Sequence, residues 1–241
     1  MLRCACRSEI GGRARNEDCA KIGCFHDVNC YVVCDGLGGH RGGAEASQMT
    51  ADRMLLHFGL HPELTQENLS AAFEEAQADL LEKQEALGDR NMLKTTASVL
   101  LVSESRMLWG HVGDTRIYLF RRGRLADRTL DHSVPQMRVN QGELRESHIR
   151  KSPDRNRLLR VLGEPWGTER YEISAVHERR EYDAALLCSD GFWEFIREPE
   201  MCRLLRRSHG DPEAWLAQMY ALIGSRTPKD TDNATAIAVI R

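Results

Sequence analysis

Five aspartates stand at turns far apart in this chain: Asp18 in GRARNED, Asp35 in YVVCDGLGGH, Asp114 in HVGDTR, Asp190 in LLCSDGFWE and Asp232 in KDTDNAT. Most follow an apolar run, so a packed strand can deliver each carboxylate to one rim of a sheet while its backbone stays fixed in the core. Brought together, they would form a hard-oxygen metal cluster, suited to Mg²⁺ or Mn²⁺ rather than zinc. The turn Asp35-Gly36-Leu37-Gly38-Gly39-His40 lets a side chain and backbone carbonyls approach one cation. It is not a phosphate-cradling loop, because neither G-x-x-x-x-G-K-[ST] nor a complete G-x-G-x-x-G is present. A single Asp-Gly turn says little, since turns use both residues constantly. Here the strand-Asp-Gly unit recurs at Cys188-Ser189-Asp190-Gly191, and Asp230-Thr231-Asp232-Asn233 adds a third acidic turn.

The elements that must position these acids are readable from apolar periodicity. Runs at Cys30 to Cys34, Thr96 to Val102, Met107 to Val112, Ile117 to Phe120, Ala184 to Cys188 and Ala234 to Ile240 predict strands, several apolar enough to be covered on both faces. Met107 to Val112 and Ile117 to Phe120 flank the short GDTR stretch, which predicts an antiparallel hairpin. Ala51, Met54, Leu55 and Phe58 fall at helical spacing, as do Leu69, Ala72, Phe73 and Ala76, continued by Leu80 and Leu87. Two long amphipathic helices are therefore expected over residues 44 to 87. A third is expected from an Asp211 cap and Pro212 to Gly224, with Trp215, Met219 and Leu222 on one face. The sum is an α/β protein whose antiparallel sheet is protected by helices.

The 241 residues suit one domain, 1–241, with no linker-like stretch. A charged fraction of 29% and a formal net charge of −3 advertise neither nucleic acid nor an anionic membrane as partner. The longest apolar runs are strand-length, and MLRCACRSEIGGR lacks the apolar centre of a signal peptide, so the chain reads as cytoplasmic. Its 8 cysteines are then expected as reduced thiols, and their spacing offers no zinc knuckle. Residues 131 to 165 are polar and weakly periodic, which predicts a surface excursion beside the site. Arg138, Arg145, Arg150, Lys151, Arg155, Arg157 and Arg160 make it locally cationic, a feature favouring an anionic partner such as a phosphopeptide.

The segments GGRARNED, YVVCDGLGGHRGGAEAS, TTASVLL, WGHVGDTRIYLFRRGRL, LLCSDGFWE and DNATAIAV, in this order, resemble the PPM family of metal-dependent serine/threonine protein phosphatases (PP2C-like), in its compact bacterial form. The resemblance runs from about Gly11 to the C-terminus. It implies a four-layer α/β/β/α sandwich of two antiparallel sheets flanked by helices, with metals at one end. It further implies that Asp35 bridges two Mn²⁺ or Mg²⁺ ions, that the Gly36 carbonyl binds one, and that Asp190 and Asp232 bind the other. Glu17 and Asp18 would hold metal-bound waters, and Asp114 with Asp190 would form a third site. Arg13 matches the arginine that grips the substrate phosphate as a bidentate fork, better than the nearby Arg15. Residues 131 to 165 match a flap over the cleft. Two cations roughly 3.5 to 4 Å apart would activate a bridging water for in-line attack, with no protein nucleophile required.

One position departs from the animal members, which carry a histidine two residues after the bridging Asp where this chain has Leu37. Bacterial relatives also have an apolar residue there. The acid for the leaving alkoxide is then a metal-bound water or His40 at the end of the same loop. A cysteine-dependent phosphatase is excluded, because no cysteine is followed by arginine at position +6. A kinase lacks its glycine-rich loop, VAIK-like lysine and HRD-x₄-N set. Two alternatives of other kinds are an inactive PPM-fold phosphoprotein-binding regulator and a phosphatase for small phosphoesters. The first is disfavoured by retention of Asp35, Asp114, Asp190 and Asp232, which would repel one another without cations. The expected counterparts are a phosphorylated protein substrate and a Hanks-type Ser/Thr kinase. The tail Trp215-Leu216-Ala217-Gln218-Met219 with DNATAIAV resembles type VI secretion-associated members, which implies a forkhead-associated protein as a further partner.

Overall fold

The computed structural model describes residues 2–38, 42–228 and 230–241. One antiparallel sheet orders its strands as β1 (Arg3–Glu9), β12 (Ala234–Ile240), β11 (Ala184–Cys188), β7 (Arg116–Arg121) and β8 (Arg124–Arg128). The other orders β10 (His177–Glu178), β6 (Arg106–Val112), β5 (Ala97–Val102), β3 (Val28–Leu37) and β2 (Asp18–Phe25). Two short strands join its flanks, β4 (Lys94–Thr95) on β3 and β9 (Glu172–Ile173) on β6.

The two-residue period of these strands builds three cores from one sequence pattern. Tyr31 and Val33 of β3, Trp109 of β6, Ile117 and Leu119 of β7, and Ile237 and Val239 of β12 interdigitate between the sheets. The alternate residues Cys30, Val32 and Cys34 face α1 (Gly43–Leu60) and α2 (Gln66–Leu87), against Met54, Phe58, Phe73 and Leu80. On the opposite outer face, Tyr118, Phe120, Leu186 and Ala238 pack on Trp193 of α4 (Asp190–Trp193), Met201 of α5 (Glu198–Arg207) and Trp215 of α6 (Pro212–Gly224). The layers are α/β/β/α, as the motif resemblance implies.

Local chemistry accounts for the helix ends. The Thr65 side chain accepts from the Asn68 amide at the start of α2, and Gly88 ends that helix at φ 70. Asp211 caps α6 through the Glu213 amide at 3.0 Å, with Pro212 at its first position, as the sequence predicts. Leu87, expected on the buried face of α2, is half-exposed at the helix terminus, beyond the reach of the sheet.

The expected hairpin is corrected. β6 and β7 flank GDTR but lie in different sheets, β6 paired with β5 and β7 with β11 and β8. Both strands are nearly fully buried, so each needs a covered face on both sides, and Gly113, at φ 93, turns the chain across from one sheet to the other. A Cβ on Gly113 would sit 2.4 Å from Thr96 Cγ2, so the crossing admits no side chain.

Residues 131 to 165 form α3 (Val134–Asn140), a 3₁₀ turn over Glu146–Lys151, and a return tied down by isolated bridges Ser133 to Leu158 and Thr95 to Leu162. Most of its cations are neutralised locally. Arg138 pairs with Glu143, Arg150 with Glu198, Arg155 with Glu194, Arg157 with Asp154 and Arg160 with Glu169, at 3.5, 2.6, 2.7, 3.2 and 3.1 Å. Among the described residues, no helix is long and apolar enough to cross a membrane. All 8 cysteines are free thiols.

Candidate metal centre

β2 and β3 of one sheet, the crossing between β6 and β7, and the segments that follow β11 and precede β12 bring their acids to a single end of the sandwich. A cleft of about 560 Å³ there is lined by Arg13, Arg15, Glu17, Asp35, Gly36, Asp114, Asp190 and Asp232, together with Leu37, Asn156, Leu158 and Asn233. Asp18 stands behind this lining, directly opposite Asp35 in the β2 to β3 ladder. Every acid named from the sequence is therefore in the cleft or in its wall. His40 lies outside the described residues.

Each acid is held through its backbone. The Asp35 amide donates to Thr96 Oγ1 at 3.1 Å, while its carbonyl accepts from the Thr96 amide at 2.9 Å and from Thr95 Oγ1 at 2.8 Å. The Glu17 carbonyl accepts from the Gly36 amide at 3.1 Å and from Ser47 Oγ at 2.5 Å. Gly36 must be glycine, because a Cβ there would lie 2.1 Å from the Gly43 carbonyl oxygen at the start of α1. The Asp114 carbonyl accepts from the buried Trp193 indole at 2.9 Å. Gly191, next to Asp190, packs so closely on the Asp232 loop that its Cβ would fall 2.2 Å from the Asn233 carbonyl oxygen.

Two side chains that the sequence reading passed over organise this end. Asn233 Oδ1 accepts from the Glu17 amide at 2.8 Å, and its Nδ2 donates to the carbonyls of Ile10 and Arg15 at 2.8 and 3.0 Å. It thereby fastens the loop carrying Arg13, Arg15 and Glu17 to the start of β12. Ser189 Oγ donates to Asp18 Oδ2 at 2.7 Å and accepts from the Thr235 amide at 3.0 Å. Their signal lay in the motifs, beside Asp232 and Asp190, but neither residue type announces a long-range tie.

The electrostatics are those of acids crowded without enough protein cation. Burial first, and then the charges of Asp18, Asp190, Asp114 and Asp232, push Asp35 well above the usual carboxylate range. Burial and Asp190 do the same to Asp114. Burial, with Glu194 and Asp232 adding repulsion, raises Asp190 to about 7, and Asp18 rises to about 6, chiefly from burial. Arg13 offsets part of this charge, its Nη2 donating to Asp232 Oδ2 at 2.6 Å. Asp18 Oδ1 and Asp190 Oδ1 are buried without a hydrogen-bond partner. Orphaned carboxylate oxygens in an all-oxygen donor set fit hard divalent cations, which would satisfy those atoms and relieve the repulsion. A thiol route has no place, since Cys34 and Cys188 are fully buried and burial pushes both thiols far up.

The family model described as protein phosphatase 2C matches residues 7–219. A serine/threonine phosphatase, stp, of Listeria monocytogenes is 30% identical over 204 residues, spanning 81% of this chain and 80% of that protein. Among solved structures, Stp1 from Staphylococcus aureus superposes with a TM-score of 0.89 at 26% identity, covering 100% of this chain and 95% of that one. The catalytic domain of PstP, solved in complex with 2 manganese ions, superposes with a TM-score of 0.83 at 26% identity, covering 99% and 97%.

Proposed function

Because this chain belongs to the protein phosphatase 2C family and is a metal-dependent serine/threonine phosphatase, we propose that its acidic cleft is where phosphoserine and phosphothreonine monoesters are hydrolysed. The observation that carries this placement is the convergence of Asp35, Gly36, Asp114, Asp190 and Asp232 on one cleft that also holds Arg13.

Asp35, the Gly36 carbonyl, Asp190 and Asp232 would hold two Mn²⁺ or Mg²⁺ ions, Asp114 with Asp190 a third, and Glu17 and Asp18 would act through waters. Such ions, when bound, activate a water for attack on phosphorus and offset charge on the phosphoryl oxygens. The chain's own work is to hold and orient. The Arg13 guanidinium, poised beside Asp232, offers a planar fork to two phosphate oxygens and sets the ester in line. Ser189 orients the Asp18 carboxylate by donating to Oδ2, leaving Oδ1 turned inward. Leu37, Asn156 and Leu158 form the rim on which the substrate chain would lie. The substrate is a phosphoprotein, and its counterpart enzyme would be a Hanks-type Ser/Thr kinase in the cytoplasm. A forkhead-associated protein would join them in a type VI secretion setting.

The experiment is phosphate release from a phosphothreonine and a phosphotyrosine peptide, with Mn²⁺, with Mg²⁺ and with EDTA. Turnover of phosphothreonine that appears with Mn²⁺ and vanishes with EDTA supports the reading. Turnover undiminished by EDTA would remove the acids from the chemistry.

A further inference from the structure

Outside the acidic centre, among the described residues, His111, His132 and Glu172 form a close cluster of titratable side chains. The two imidazoles are almost fully buried and stacked, with centroids 4.5 Å apart and planes 28° from parallel. Ligand-capable atoms of the three residues lie within 4.8 Å of one another, yet the geometry is not that of a metal cage. His111 Nε2 meets the Leu130 carbonyl and His132 Nδ1 accepts from the Gly113 amide, so one nitrogen of each ring is already taken up by the backbone. The Gly113 amide donates to His132 Nδ1 at 3.3 Å, which leaves the proton of the neutral ring on Nε2, toward Glu172 Oε1 at 3.3 Å.

What the cluster does connect is the turn of Asp114 and the cleft rim. The His132 amide donates back to the Gly113 carbonyl at 2.9 Å, so this residue grips Gly113 through both backbone and ring. His111 Nε2, near the end of β6, meets the Leu130 carbonyl, two residues before His132, at 2.8 Å. The His132 carbonyl in turn accepts from the Leu159 amide at 2.8 Å, and the Val134 amide donates to the Arg157 carbonyl at 2.9 Å. The outgoing residues 132–134 and the returning residues 157–159 thus form a two-stranded stem, and Leu158 within it and Asn156 beside it line the same cleft as Asp114.

We propose that His132 is a positioning residue that locks the Gly113–Asp114 turn to the stem carrying Asn156 and Leu158, so that the acid and the cleft rim are set in place together. The proposal rests on the phosphatase reading for its kinetic consequence and on backbone hydrogen bonding for its structural one. Gly113, at φ 93, carries the permissive backbone of a glycine, so the hydrogen bond from its amide to His132 Nδ1 and the one its carbonyl accepts from the His132 amide are what select one orientation of the turn. Loss of that acceptor frees Asp114 while leaving the cores untouched.

The test separates the acceptor from the ring. His132→Asn places an oxygen near the Nδ1 position without the ring, and His132→Phe keeps ring, stacking and volume without the acceptor. Both are compared with the native full chain by amide hydrogen exchange in EDTA, and by kcat and KM for a phosphothreonine peptide across Mn²⁺ concentrations. Expected are a slowly exchanging Gly113 amide in the native protein and, in His132→Phe, exchange there about tenfold faster, with kcat about tenfold lower and a raised Mn²⁺ requirement at nearly unchanged KM. His132→Asn should restore both. A native-like His132→Phe alongside an impaired His132→Asn would reduce His132 to packing and overturn the proposal. So would fast exchange at Gly113 in the native protein, a result independent of whether either variant folds or the enzyme turns over. Native protein that protects Gly113 but releases no phosphate would overturn the phosphatase reading and leave the structural lock in place.

Discussion

Arg116 and Asp131 meet in a two-pronged ion pair, Nε to Oδ1 at 2.7 Å and Nη2 to Oδ2 at 2.6 Å, with side chains only 2% and 1% exposed. The same guanidinium lies 3.5 Å over the Trp193 ring and donates from Nη1 to the Tyr118 hydroxyl at 2.9 Å. Trp193 holds the Asp114 carbonyl, so one buried cation braces both the turn of an acid and the short helix that begins with Asp190. Burial would favour the uncharged guanidine, but Asp131 and Tyr118 reverse this and keep Arg116 charged.

Breaking that pair on one side should cost far more than a surface substitution. Asp131→Asn preserves shape but strands the Arg116 charge in the interior, for an expected loss of about 3–5 kcal/mol. Urea unfolding of the metal-free protein measures it. A loss within about 0.5 kcal/mol, the range of ordinary surface changes, would show that the pair is not bracing the fold.

The pH dependence of the metal-free protein follows from acids whose folded-state pKa values are raised. Stability from Asp18 and Asp190 is fully present below the unfolded value of 3.8 and is lost as the pH climbs through about 6 and about 7 respectively. Asp35 and Asp114 act in the same direction. His111 opposes them, since burial lowers it from 6.5 to about 4 and unfolding is disfavoured as the pH rises through that window. One imidazole stands against four carboxylates. In EDTA, Tm is therefore expected to fall between about pH 5.5 and about pH 7.5, and saturating Mn²⁺ should flatten or reverse the slope. Calorimetry that finds Tm climbing with pH in EDTA would contradict the crowding of these acids.

Removal of single acids should have graded effects. Asp190→Ala is expected to lower phosphate release by about 100-fold or more, beyond what outer-sphere partners of metals cost, because Asp190 is proposed to serve more than one ion. Asp114→Ala should keep the fold and turn over at a raised Mn²⁺ requirement. Calorimetric titration with Mn²⁺ reads the number of ions directly. A folded Asp190→Ala protein with full activity would sink the ligand assignment.

Much of this architecture is local and was legible in the chain. Cys30 to Cys34, Ala184 to Cys188 and Ala234 to Ile240 are strands because near-continuous β-branched and apolar runs bury both faces, and α6 starts and stops where Asp211, Pro212 and Gly224 place it. The acids were legible for the same reason, as carboxylates at the ends of such strands or in acidic turns. The edge strands β1 and β2 were not, since RCACRSE and DCAKIGCF are half-exposed and carry weak alternation. Nor was the partner of each strand. Met107 to Val112 and Ile117 to Phe120 have the look of a hairpin, but pairing is a long-range choice made by which sheet buries each face.

The tertiary structure alone decided which polar groups meet. Asn233 reaches back to Glu17, Ser189 to Asp18 and Arg155 to Glu194, separations of 216, 171 and 39 residues. Hydrogen bonds and ion pairs of that kind depend on distances of a few ångströms set by the whole packed sandwich, and no local spacing encodes them. The sequence by itself determined that five aspartates would stand near element ends with chemistry suited to a hard cation, although Asp35 lies within β3 and Asp190 opens α4 rather than a turn. That Asp35, Asp114, Asp190 and Asp232 line one cleft with Asp18 in its wall, and which neighbours aim them, was settled only when two sheets packed face to face.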